Sequence, residues 1–311
     1  MRSISEKANR LSVKDPNLRA RLASLGAVIE EKSRETRSQK SSQSPAKNMP
    51  SEQMLLDLPG LDEVFRAMPN HLARSSLFAP IARGRRRFHH RATLVSRSDA
   101  IITYTGEQLD EADADLCLQL VFEAMATPLG KPVLFNRGRV LSALGRGTGK
   151  QQYEWLHRRM KSLTEATLFV EALGRDGRPK YKIGDTQSFR IIEKFAFDSA
   201  SATYLFVLDP RWQRMFSNRE YALIDWRKRL AIGRGQDMAK ALQRLISASA
   251  DQTQRYNLDW LQEKMQYTGR RRDFKRALLR AGRELERVDL ARKCWIETRK
   301  DGDDLLCVWV D

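Results

Sequence analysis

The sequence predicts an α+β chain, two tandem winged-helix domains preceded by a disordered N-terminal tail. Three observations carry that prediction. A basic amphipathic helix near the C-terminus is followed by a hairpin signal. An earlier stretch repeats the same order of elements. Residues 1–52 contain no aromatic residue.

Over residues 270–288, Phe274, Leu278, Ala281, Leu285 and Val288 step by three or four, which at ~100° per residue makes one apolar stripe. Arg272, Arg276, Arg280, Arg283 and Arg287 fall on the opposite face, with Arg271 and Lys275 on its flanks. A short helix over 258–266 comes first, with Gly269 read as its left-handed C-terminal residue. Strands over 293–298 and 305–310 follow, around Asp301-Gly302. Helix, turn, basic helix and hairpin together spell a winged helix, whose basic face suits a DNA major groove. The candidate contacts are Arg271, Arg272, Lys275, Arg276, Arg280 and Arg283. A solvated charged face is the alternative.

The chain has 311 residues, a net charge of +17 and a pI of about 10.1. That length suits about two domains, and that charge favours a polyanion. No apolar run reaches the ~18 residues of a membrane span, so a soluble, intracellular protein is expected. Net charge is +5 over 1–52, +5 over 53–98, −1 over 99–210 and +8 over 211–311. The expected organisation follows these steps: a tail (1–52), a docking peptide with a basic linker (53–98), a first winged helix (99–210) and a second (211–311).

The tail is rich in Ser, Lys, Arg, Glu and Gln, too polar to offset its ordering entropy. Gln53-Met54-Leu55-Leu56-Asp57-Leu58 resembles the short peptide by which bacterial proteins dock on the DNA polymerase sliding clamp. Gln53 would make directed hydrogen bonds while Leu56 and Leu58 fill an apolar pocket. The alternative is the first apolar turn of the folded region. Residues 83–91 hold five arginines and no acid, fit for phosphate contact or for solvent.

In the first expected domain, Asp110 caps a helix running to about 126, whose acidic start suits the positive helix end. Asn136 caps a helix to 144, and Gly149 opens another over 150–163. Leu156, Met160 and Leu163 face inward; Lys150, Gln151, Arg158 and Lys161 face out as further candidate DNA contacts. Strands follow over 168–173, 181–183, 189–197 and 204–208. The second domain opens with a helical stretch over 212–230 and a helix over 237–248. The repeat is one of architecture, without evident residue identity.

Catalysis is not expected. The run Gly145–Lys150 lacks the first glycine and the Ser/Thr of a phosphate loop. His71, His89, His90 and His157 never flank a single residue, as metal-dependent nicking enzymes require, and Cys117, Cys294 and Cys307 are too scattered for a zinc site or disulfide framework. No cofactor is expected and no metal.

Arg66-Ala67-Met68-Pro69-Asn70, Ala73-Arg74-Ser75, Leu77-Phe78, Ile102-Thr103-Tyr104-Thr105-Gly106 and Leu109, with the acidic helix start, carry a resemblance. Over roughly residues 53–311 the chain resembles the TrfA-type replication initiators of broad-host-range plasmids. The resemblance implies two winged helices that bind directly repeated origin sequences (iterons), strand opening and recruitment of the host replisome. The implied partners are double-stranded origin DNA, single-stranded origin DNA, the sliding clamp, the host initiator and helicase, and a second copy in a monomer–dimer equilibrium. The implied compartment is the bacterial cytoplasm. A winged-helix transcriptional repressor is the alternative function, distinguished by a palindromic site bound as a dimer.

Overall fold

In the computed structural model, the described residues are 55–310, except 57, 59–61, 82–85, 175–176, 185–187, 200, 202 and 301. The expected tail, Gln53, Arg83, Arg85 and Asp301 lie outside them. Residues 53–311 form one compact unit.

The first winged helix comprises α2 (Glu111–Ala124), β6 (Pro132–Asn136), α3 (Arg137–Ala143), α4 (Lys150–Glu165), β10 (Lys194–Asp198) and β11 (Thr203–Val207). The second comprises α7 (Asp237–Ile246), β13 (Thr253–Asn257), α8 (Leu258–Lys264), α9 (Arg271–Arg287), β14 (Lys293–Thr298) and β15 (Asp304–Trp309). Their sheets run β10-β11-β6 and β13-β15-β14, so in both the last strand lies between the other two. The repeat extends to one residue type. Asn136 ends β6 and caps α3 by accepting from Gly138 and Arg139 N–H; Asn257 ends β13 and caps α8 by accepting from Asp259 and Trp260 N–H.

Around the first winged helix lie β1 (Phe65–Pro69), α1 (Asn70–Arg74), β2 (Phe78–Ala79), β3 (Phe88–Thr93), β4 (Ala100–Glu107) and β5 (Leu109–Asp110). After α4 come β7 (Thr167–Leu173), β8 (Pro179–Ile183) and β9 (Phe189–Arg190). After β11 come α5 (Trp212–Phe216), β12 (Tyr221–Asp225) and α6 (Trp226–Ala231).

Several local expectations are corrected by long-range pairing. Residues 53–98 are not a linker where they are described: β1 pairs antiparallel with β12, and β2 parallel with β5. Demand for a partner to β1 also explains why 212–230 is not a continuous helix. The wing of the first winged helix is β10-β11, whereas the hairpin β7-β8 joins β3 and β4 in one sheet, with β9 beside β7. The strand expected over 189–197 breaks between β9 and β10 where the chain seals the end of α4. There Ile191 N–H donates to Ala166 O and Ile192 N–H to Leu163 O, both at 3.3 Å. Gly269 is not the left-handed residue after α8; Gln266 is, at φ 50°.

The boundary expected at 210/211 also moves. Trp212, Met215, Phe216, Ala222, Ile224 and Trp226 are buried in the core of the first winged helix. The second core begins at Ile232.

The two cores are joined by buried charge. On α2, Glu111 receives Arg229 Nη2 at 2.9 Å and both Nε and Nη2 of Arg244. Asp115, one turn on, receives Arg229 Nε, and Lys240 Nζ at 2.6 Å. Glu111, Arg229 and Arg244 are fully buried. Arg229 comes from α6; Lys240 and Arg244 come from α7, the first helix of the second winged helix. Burial opposes the charge on Glu111 and Asp115, but the facing cations outweigh it and hold both carboxyls below the usual range. Spare donors are satisfied too: Arg229 Nη1 reaches Lys240 O at 3.0 Å, and Arg244 Nη2 reaches Phe78 O at 2.8 Å. Lys264, on α8, is also buried and donates to Ser75 O at 3.1 Å. Burial lowers its ammonium to about 7, with the Arg244 charge adding to the effect.

Two outcomes are expected. Glu111→Gln leaves the buried Arg244 guanidinium without a carboxylate and Arg229 with Asp115 alone, and lowers the unfolding free energy by about 3–5 kcal/mol, measured by urea titration near pH 7. Lys264 binds a proton more weakly folded than unfolded, so its unfavourable contribution is full below pH about 7 and fades as pH rises toward the unfolded value of about 10.4. Lys264→Met should therefore stabilise the protein at pH 6.5 more than at pH 9. An equal effect at both pH values means that the buried amine does not titrate in this window.

Candidate nucleic-acid interface

In α9, Phe274, Leu278, Ala281 and Leu285 are buried, and Arg272, Arg276, Arg280, Arg283 and Arg287 are exposed, the two faces the spacing requires. Gly282 lets the helix lie close against β14: a Cβ there would stand 2.5 Å from Cys294 Cβ. Arg271 is partly buried and pairs with Asp259 at 2.8 Å. Lys275 Nζ meets Asp304 Oδ2 at 2.5 Å, fastening the helix to the turn end of the β14-β15 hairpin and holding that carboxyl below its usual range. Arg276 pairs with Asp273 on its own helix, an exposed contact that phosphate could replace. No ion pair among the described residues engages Arg272, Arg280 or Arg283.

The corresponding helix of the first winged helix, α4, buries Leu156, Met160 and Leu163 and exposes Lys150, Gln151, Arg158 and Lys161. The turn before it begins at Gly145, left-handed at φ 66°. Arg146, within the turn, stacks 3.6 Å above the Trp155 ring and donates to Gln152. Its guanidinium is thus spent on packing.

Two cations join this surface from elsewhere in the chain: Arg87, from the run read as fit for phosphate contact or for solvent, and Arg234, which was not singled out. Arg87 is exposed and lines one groove with Arg276, Arg280 and Arg283. Its neighbour Arg86 turns inward to Asp110 and Asp113, so the basic run divides between structure and surface. Arg234 is exposed in a cleft with Gly145, Arg146 and Gly147. In sequence it marked only a break between two glycines.

Of the hexapeptide expected to dock on a clamp, Leu55, Leu56 and Leu58 are among the described residues. Leu56 and Leu58 are each 4% exposed and belong to the first core; Leu55 is 49% exposed. The pocket-filling leucines are therefore already buried within the chain. Among the described residues, no group of three or more His, Cys, Asp or Glu is placed to hold a metal ion, and no helix is long and apolar enough to cross a membrane.

The Escherichia coli plasmid replication initiator protein TrfA is 26% identical over 180 residues, covering 56% of this chain and 45% of that protein. The chain thus spans less than half the length of that relative. Two crystal structures of domains 2 and 3 of RctB are similar over 78% of this chain and 99% and 96% of theirs, with TM-score 0.48 and 12% identity. The WH1 domain of the MSBI1.176 replication protein is similar over 35% of this chain and 85% of its own, with TM-score 0.24 and 14% identity. The family model described as TrfA protein matches residues 24–209, which takes in the strand that carries Arg66–Pro69 and the whole of the first winged helix. With more than half of its residues under that match, this chain belongs to the TrfA family.

Proposed function

We propose that the chain is a plasmid replication initiator that binds directly repeated duplex sequences at an origin through the outer faces of α4 and α9. The observation that carries this reading is the exposed arginine face of α9, on the second helix of a helix-turn-helix with its hydrophobic stripe fully buried. That helix lies beyond the residues of the family match, so its geometry supports the reading independently of kinship. Lys150, Gln151, Arg158 and Lys161 supply the second contact. Arg87, beside α9, adds a phosphate contact.

Two unlike modules in one compact unit suit a site without internal two-fold symmetry, repeated in one direction. Sequence reading falls to groups that reach base edges, while the remaining cations set register through phosphates. Origin opening and engagement of the host initiator, helicase and a second copy belong to the same proposal, drawn from family membership. Clamp docking through Leu56 and Leu58 does not, because both would have to leave the core at a cost of about 1.5–3 kcal/mol each.

Footprinting on a plasmid origin, followed by binding titration, tests the reading. The expected footprint is roughly 20 bp per monomer in direct repeats. Arg272→Ala and Arg280→Ala should each weaken binding by about 1–3 kcal/mol where the side chain reads a base, and less where it meets phosphate. Unchanged affinity in both variants removes α9 from the interface. A protected palindrome occupied only by dimers supports a transcriptional repressor instead.

A further inference from the structure

Between α4 and the wing of the first winged helix lies an aromatic recess that the DNA-contact residues named so far leave unexplained. Tyr153 and His157 reach it from α4; Phe197 and Tyr204 reach it from β10 and β11. Phe197 and Tyr204 pack with ring centroids 4.7 Å apart. His157 Nδ1 and Tyr204 Oη lie 3.0 Å apart and satisfy each other, and the exposed lining of the recess is mainly apolar. Arg137 closes one side, its guanidinium 4.0 Å from the Tyr153 ring centroid and 5.3 Å from that of Phe197.

Lys150 and Arg158 stand at the rim, and so does Glu154. A carboxylate beside an apolar floor disfavours a phosphate as the occupant, while the two cations suit phosphates passing on either side. The recess thus calls for an uncharged apolar group carried on a polyanion, next to a helix that lies in the major groove. Duplex DNA presents one such group there, the 5-methyl of thymine.

We propose that this recess receives a thymine 5-methyl group and makes the first winged helix selective for thymine at one position of its half of the site. The inference rests on the DNA-binding reading above and adds the base that α4 selects. Tyr153 and Phe197 are its specificity-determining residues, and Arg137 holds the Tyr153 ring in place.

The test uses the full chain and a duplex recovered by selection from a random-sequence library. Each thymine of that duplex is replaced in turn by deoxyuridine, which removes the methyl alone, and by 5-iododeoxyuridine, which restores a group of similar size. The expected result is one position in the part of the site protected by the first winged helix where deoxyuridine weakens binding about fourfold and the iodo base restores it. Irradiation of the iodo duplex at that position should cross-link Tyr153 or Phe197, identified by mass spectrometry of the unaltered protein. Tyr153→Ala should bind the thymine and deoxyuridine duplexes equally; should that variant fail to fold, the cross-link decides. Indifference to every deoxyuridine replacement, or cross-links only outside the recess, overturns the proposal and leaves the DNA-binding reading intact. Failure to enrich any duplex overturns both.

Discussion

The Glu111 carboxylate, held between Arg229 and Arg244, is the constraint on which the arrangement of this molecule depends. A carboxylate and two guanidiniums without water are costly to bury unless nearly every donor finds an acceptor. Here carboxylates of α2 and carbonyls of α7 and β2 take up the guanidinium donors. A hydrophobic contact tolerates sliding; a bidentate Arg–carboxylate contact does not. The two first helices, one from each winged helix, are therefore fixed in register, and α4 and α9, which pack on them, are fixed as well. Smaller contacts reinforce the join. Lys264 donates to Ser75 O, Trp260 Nε1 to Ser96 O at 3.2 Å, and Arg287 Nη2 to Ala231 O at 2.7 Å.

This weld changes how the charge map is understood. With a boundary at 210, the first module is nearly neutral and the second carries +8. Residues 211–231 hold six basic and two acidic residues, and they pack against the first core. Placed there, they leave 99–231 at +3 and 232–311 at +4. Net charge no longer separates the modules. The difference lies in the faces. The outer side of α9 offers five exposed arginines, three of them in one groove with Arg87, whereas that of α4 mixes two lysines, an arginine and a glutamine with Glu154, next to an aromatic recess. The first combination suits strong attraction to phosphate and guanine; the second suits discrimination among bases.

What was legible in the sequence had a local cause. The stripe of α9, the Asp110 and Asn136 caps and the C-terminal hairpin each follow from residues within a few positions of one another, and all are found. What was not legible had a distant cause. The acids that start α2 read as dipole complements, yet Glu111 and Asp115 pair with residues more than a hundred positions later. Residues 221–225 read as helix because their pairing strand lay in a segment read as linker. Leu56 and Leu58 looked like a free peptide because nothing nearby in sequence shows the core that covers them. For the interface, period-3.6 patterning identified the exposed faces, but Arg87 and Arg234 joined them only through folding.

If α4 and α9 both contact DNA as proposed, a rigid join between them makes one demand on the site: its halves must lie at a fixed spacing and phase. Titration of the full chain against its selected duplex, and against the same duplex with five or ten base pairs inserted between the two protected halves, tests that demand directly. Loss of simultaneous engagement should weaken binding about a hundredfold or more for both insertions, since five base pairs reverse the phase and ten move the second groove out of reach by about 34 Å. Binding of either interrupted duplex as tightly as the intact one would show that the winged helices move independently, and that the buried Glu111–Arg229–Arg244 contact does not set their geometry.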